Sequence, residues 1–202
     1  MDLTVCDISQ QAQEELVAGL RPTLGVDSGQ LWMRASTEGT AFIQLIGEAS
    51  AWVTPLKAAA AAFLLPFLAQ LGKKTADHAW EKRERIKESL SNLAAAPLKK
   101  VASVLVGGTK SKPDAELVIG IPVPEKNWGT AITFRPADEE EVAWILALFV
   151  TKVEEIEAAM HEEVRGGHLP LGRAQLTLQE DGSFVVRWMD QVEHKRHERK
   201  IR

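Results

Sequence analysis

A single cysteine, Cys6, and no tyrosine at all stand in this chain of 202 residues. One thiol cannot form an internal disulfide, so the stapled secreted domain is excluded and a reducing compartment, the cytoplasm, is the expectation. Met1–Ile8 carries Asp2 and Asp7 and lacks a basic start followed by an apolar run, so no signal peptide is read there. Excess charge is also lacking: the net charge of −4 and pI near 5.8 give no footprint for wholesale nucleic-acid binding. At 45% hydrophobic and 26% charged residues, the composition is that of a folded globular chain, long enough for one domain or two small ones.

Catalytic and ligand motifs are missing as well. Gly107–Ser111 reads GGTKS, but a phosphate-cradling loop needs glycine immediately before the lysine and another five positions earlier; here those places hold Thr109 and Val104. The stretch is read as an interdomain loop. His161, His168, His194 and His197 are candidate metal ligands, and a helix would put His194 and His197 on one face. Yet Lys195, Arg196 and Arg199 surround that pair and repel a cation. Cys6 has Asp7 beside it, which raises rather than lowers a thiol pKa, so it is read as a small buried residue. The acids Asp138–Glu141 open a helix, and capping accounts for them without catalysis. Ser183 lacks the glycines of a nucleophile elbow. No catalytic residue, cofactor or metal is therefore assigned.

What the chain does have is one long apolar stretch, Ala41–Leu71, in which only Glu48 and Lys57 are charged. Phe42, Leu45, Ile46, Ala49, Trp52 and Val53 recur at helical spacing, so the segment is read as helices, with a break at Thr54-Pro55 and a second kink at Pro66. Its uninterrupted part, Ala58–Leu71, spans about 14 residues or roughly 21 Å as a helix. That is short of the ~30 Å hydrocarbon core of a bilayer. The alanine run favours close helix packing. Burial within the domain or against a second copy is the leading expectation, with Trp52, Phe63, Phe67 and Leu71 as candidate interaction residues. The alternative is a kinked hairpin inserted in a membrane, flanked by Lys73 and Lys74.

Around this segment the pattern predicts an α+β fold. Leu3–Cys6 and Gln30–Ser36 read as strands, with a helix between them that Ser9 caps and that runs into Arg21-Pro22. A charged helix is expected over Thr75–Leu93, bent or ended by Pro97. Gly107–Ala115 is read as a linker between a mainly helical part, residues 1–106, and a sheet part, residues 116–202. The second part reads β-β-α-β-β: a hairpin across the turn-rich PEKNWG, a long helix from Asp138 to about Val164 with a narrow apolar stripe, and a hairpin about Glu180-Asp181-Gly182. The tail from Gln191 is read as charged and helical or frayed. Its Lys195, Arg196, Arg199 and Lys200 are candidates for contact with an anionic surface.

These readings lead to a non-enzymatic protein-interaction or assembly module of a prokaryotic cytoplasm, partnered by itself or another protein. Membrane association is the alternative.

Overall fold

The computed structural model describes residues 1–32, 40–67, 79–122 and 129–202. Among them run β1 (Asp2–Cys6), α1 (Gln10–Leu24), β2 (Gly29–Trp32), β3 (Phe42–Ile46), α2 (Ala49–Leu64), α3 (Ala79–Ser91), α4 (Ala96–Thr109), β4 (Glu116–Pro122), β5 (Gly129–Phe134), α5 (Glu139–Arg165), β6 (Ala174–Leu178), β7 (Phe184–Met189) and β8 (Arg196–Ile201). The α+β class expected from the sequence holds, but the strands join in one mixed sheet of 8, ordered β2-β1-β3-β4-β5-β6-β7-β8. The pairs β1–β2, β3–β4 and β5–β6 are parallel, and each needs a helical crossover: α1, then α2 through α4, then α5.

Several expectations need correction. Phe42–Ile46 is not helical. The same residues that repeat at three and four also alternate, and Ile43 and Leu45 are buried between half-exposed neighbours, as in a strand. Helix α2 begins only at Ala49 and passes through Pro55 without ending. Interior proline costs about 3 kcal/mol. The burial of Trp52, Leu56, Ala59, Ala60, Phe63 and Leu64 offsets it. At Pro66 the expected change does occur: α2 gives way to a 3-10 turn over Leu65–Phe67. Helix α1 likewise continues past Pro22 to Leu24, where Gly25 closes it at φ 63°.

Gly107–Ala115 does not lie between two separate arrangements. Gly107, Gly108 and Thr109 close α4, and the strands before and after the helical crossover, β3 and β4, are hydrogen-bonded neighbours. Gly108 has a packing reason, since an added Cβ would lie 2.8 Å from Leu16 Cδ2 and 2.9 Å from Ile43 Cδ1. The absent side chain lets α4 sit close on α1 and β3. Pro97 does not end a helix but stands in the first turn of α4, where its missing N–H is no loss.

The capping expected for α5 is present. Glu141 N–H donates to Asp138 Oδ1 at 2.9 Å, and Ala137 N–H donates to Glu141 Oε2 at 2.7 Å. The apolar stripe is wider than expected, because every residue from Val142 to Val150 is buried. Neighbouring α2 and α4 flank this helix, so more than one of its faces is covered. The tail is neither helical nor frayed: it forms β8, antiparallel to β7. Strand β2 is described only to Trp32. The remaining residues of the expected strand at 33–36, the Leu71–Lys74 end of the apolar segment, the start of the charged helix before Ala79 and the turn at 124–128 lie outside the described residues.

The core fixes which face of the sheet the helices cover. Leu3, Val5, Ile43, Leu45, Leu117, Ile119, Ile121, Ile132, Leu176, Phe184 and Val186 join the helix side chains in one apolar cluster. In each strand these are alternate residues, hence one face. Val118, Ala131 and Val185, the intervening residues, are buried outside that cluster.

Candidate functional site

Among the described residues no helix packs on the second face of the sheet. One row of Cα partners crosses it from β1 to β8: Asp2, Ile46, Gly120, Ala131, Gln175, Arg187 and Glu198. Charges stand at the ends of the row and small residues at its middle. Beside it lie half-exposed Phe42, Gln44 and Thr177, exposed Thr133, and Val118 and Val185, which are 4% and 7% exposed. Gly120 is required by backbone approach, because a Cβ there would lie 2.2 Å from Thr130 O.

Arg173, just before β6, donates from Nη2 to Gln44 Oε1 on β3, so its side chain reaches past β5 and β4. Arg173 Nε is buried and has no hydrogen-bond partner. Desolvation lowers the pKa of this guanidinium. Two ion pairs lie on the same face: Arg135 Nε is 3.8 Å from Glu116 Oε1, and Arg187 Nε donates to Glu198 Oε2 at 3.1 Å.

A second polar group sits on the helix-covered side, between the end of α5 and β7–β8. His168 Nδ1 lies 3.0 Å from Glu163 Oε2. Its ring is 5.0 Å from that of His197, which stacks on Trp188 at 5.5 Å. The Glu163 interaction raises the His168 pKa, and the His168 and Arg199 contacts lower that of Glu163. Asp190 is fully buried. Its Oδ1 accepts the N–H groups of Val192 at 2.6 Å and Glu193 at 2.7 Å, which lower its pKa. The turn these bonds build positions His194 at φ 53° and starts β8. His194 and His197 therefore do not share a helix face, and His161 lies on α5. No group of three or more His, Cys, Asp or Glu among the described residues has metal-holding geometry.

The other residues singled out from the sequence fall as follows. Trp52 and Phe63 are fully buried and Phe67 is 3% exposed, so they build the core, not a surface. Leu71 lies outside the described residues. Trp52 Nε1 donates to both Gly47 O at 3.1 Å and Gly120 O at 3.0 Å, tying α2 to the ends of β3 and β4. Of the basic tail residues, Arg199 bonds Glu162 at 2.7 Å and Glu163 at 3.1 Å, Lys200 bonds Asp181 at 2.8 Å, and Lys195 lies 3.8 Å from Glu193, while Arg196 is exposed. Internal acids thus engage most of the expected anionic contact. Cys6 is buried with its Sγ 3.7 Å from Asp7 Oδ2. Ser183 donates to Asp181 Oδ1, a turn-closing bond rather than a nucleophile–base pair.

The described residues hold one helical stretch, Ala49–Phe67, long and apolar enough by composition to cross a membrane. Trp52, Leu56, Phe63, Leu64 and Phe67 point into the core, where Trp52 meets Phe149 edge-on at 5.3 Å and Phe67 meets Trp144 at 5.1 Å, while Leu65 is exposed. Arg173 was missed by sequence reading. It stands alone between a turn glycine and a strand, and only the strand order brings it to Gln44. Comparison with protein-family models, with curated proteins and with solved structures returns no match.

Proposed function

We propose that this chain is a non-enzymatic protein-binding module whose uncovered sheet face receives a polypeptide partner. The single observation behind this reading is the sheet of 8 strands that carries helices on one face and no described element on the other. A face with small apolar residues at its centre and charges at its rim matches the core-and-rim anatomy of protein interfaces. The apolar segment serves as core, through α2, and the proposal moves the interaction site from that helix to the sheet. A cytoplasmic setting accords with the lone, buried Cys6.

The test is affinity capture with the full chain and with a face-blocked variant, Thr133→Arg with Gln175→Arg. Both positions are exposed, so the fold tolerates the change. Sedimentation of the isolated chain reports self-association in parallel. A protein, or a second copy, held by the parent and lost by the blocked variant supports the reading. Identical capture by both, with unchanged sedimentation, overturns it.

A further inference from the structure

Exposed apolar side chains gather at one end of the sheet. Leu171, Met189 and Val192 are three of the five large apolar residues that stand exposed among the described residues, at 54%, 42% and 64%. Backbone bonds tie the segments that carry them together. Pro170 bridges Asp190, Leu171 N–H donates to Met189 O at 2.6 Å, and Gln191 N–H donates to Leu169 O at 2.7 Å. Asp190, fully buried, accepts the N–H groups of Val192 and Glu193 and so fixes the β7–β8 turn. Such a cluster, unlike single apolar residues scattered over a surface, marks an interaction site.

Cations rim the patch. Arg196 is the Cα partner of Met189 and is exposed. Lys195 is 74% exposed, and its contact with Glu193 at 3.8 Å is an exposed ion pair of the kind that holds little. Arg165, exposed at the end of α5, opens the loop that leads to Leu171. Over residues 165–173 and 189–196 the chain has Arg165, Arg173, Lys195 and Arg196 against Asp190 and Glu193, and the turn itself engages Asp190.

Two features choose the occupant. A standard protein interface engages about 20–30 residues a side, whereas here three apolar side chains stand out from two adjoining loops. A lipid surface needs no matching contour: apolar tips enter the acyl boundary while flanking cations meet anionic headgroups. The net charge of −4 does not oppose this, since screening over about 8 Å at physiological salt leaves only nearby charges to act.

We infer that this end of the sheet docks on an anionic bilayer surface, with Leu171, Met189 and Val192 inserted and Lys195 and Arg196 at the headgroups. Helix α2 takes no part, and docking of a polypeptide on the sheet face is independent of it.

The test is flotation of the full chain with vesicles of equal parts phosphatidylcholine and phosphatidylglycerol, and with phosphatidylcholine alone. The chain should float with the first and not the second, and less as salt rises. Lys195→Gln with Arg196→Gln should lower the partition coefficient about 25-fold, about fivefold for each cation. Leu171→Ser with Val192→Ser should lower it about tenfold or more. Both sites are exposed, so the denaturation midpoint should stay near that of the parent. Val192→Phe should strengthen binding, a gain that a damaged fold would not give. No flotation with the anionic vesicles, equal flotation with both kinds, or parent-like binding by the serine variant overturns the assignment. So does capture on immobilised poly-glutamate as tight as that on the vesicles, which would make the partner an acidic polypeptide.

Discussion

The two faces of the sheet obey different rules although the same strands supply both. On the covered face, Leu3, Leu45, Ile119 and Ile132 are Cα partners in sequence across β1, β3, β4 and β5, and all are large and apolar. On the bare face the matching row holds Ile46, Gly120, Ala131 and Gln175. Helices account for the first row, since side chains that meet across layers must fill the space between them. Nothing in the chain's described packing accounts for the small, half-shielded character of the second. A face meant only for water would alternate with long polar side chains. This contrast is what the docking proposal explains.

The largest effect should come from the point where the two faces meet. Trp52 belongs to the covered side, yet its indole donates to the carbonyl of Gly120 in the bare-face row. Trp52→Ala removes a fully buried ring and should cost about 3–5 kcal/mol in chemical denaturation. Trp52→Phe keeps most of the bulk and removes the indole donor from the carbonyls of Gly47 and Gly120, the second of which keeps the Gly47 N–H at 3.2 Å, for about 1–3 kcal/mol. If Trp52→Ala unfolded with the same midpoint as the parent, the tie between α2 and the sheet would be unimportant.

A direct comparison of faces is available in β7. Val186 and Val185 are adjacent, the first fully buried under the helices and the second 7% exposed on the bare side. Val186→Ala should cost about 2 kcal/mol, from lost transfer energy and the cavity beneath the helices. Val185→Ala should cost less, about 1 kcal/mol, because Val185 keeps a little exposure and the space left lies outside the helix-covered core. Equal losses would mean that the two faces are equally covered. Gly120→Ala sharpens the point from the other direction. The new methyl meets a backbone oxygen rather than a movable side chain, so β4 and β5 must separate locally, at about 1–3 kcal/mol.

The sequence-level pattern carried the elements that local signals define. Asp138 with Glu141 marked the start of α5, Arg165-Gly166 its end, and Glu180-Asp181-Gly182 the β6–β7 hairpin. Phe42–Ile46 was misread because five residues fit both helical and alternating periods, and its pairing with β1 and β4 decides between them. The tail was misread for a related reason. In β8, His197, Arg199 and Ile201 face the covered side, but two of them are polar, so no apolar alternation advertises a strand. Their partners, Glu162, Glu163 and Trp188, lie far along the chain. The Arg173–Gln44 contact was illegible for the same reason: it depends on a strand order that places β3 and β6 on either side of β4 and β5.

The smallest expected effect concerns the His168–Glu163 contact that braces β8 from the covered side. The groups facing His168 are Glu163, Glu193 and Asp190, with His197 stacked alongside and Arg199 sharing Glu163. The folded pKa of His168 is raised above its ordinary 6.5, so its contribution is complete below that value and is lost as pH rises through the folded one. Glu163 is lowered from 4.5, so its contribution is present above that value and is lost as pH falls through the folded one. Stability from this contact should therefore peak between 4.5 and 6.5. His168→Gln should flatten the fall on the alkaline side and weaken the fall on the acid side, where Arg199 still holds Glu163. Denaturation midpoints measured from below 4.5 to well above 6.5 would show it. An alkaline slope identical in parent and His168→Gln would mean that β8 is held by its ladder with β7 and by Arg199 alone. Because both side chains are partly exposed, the change should be smaller than that of Val186→Ala.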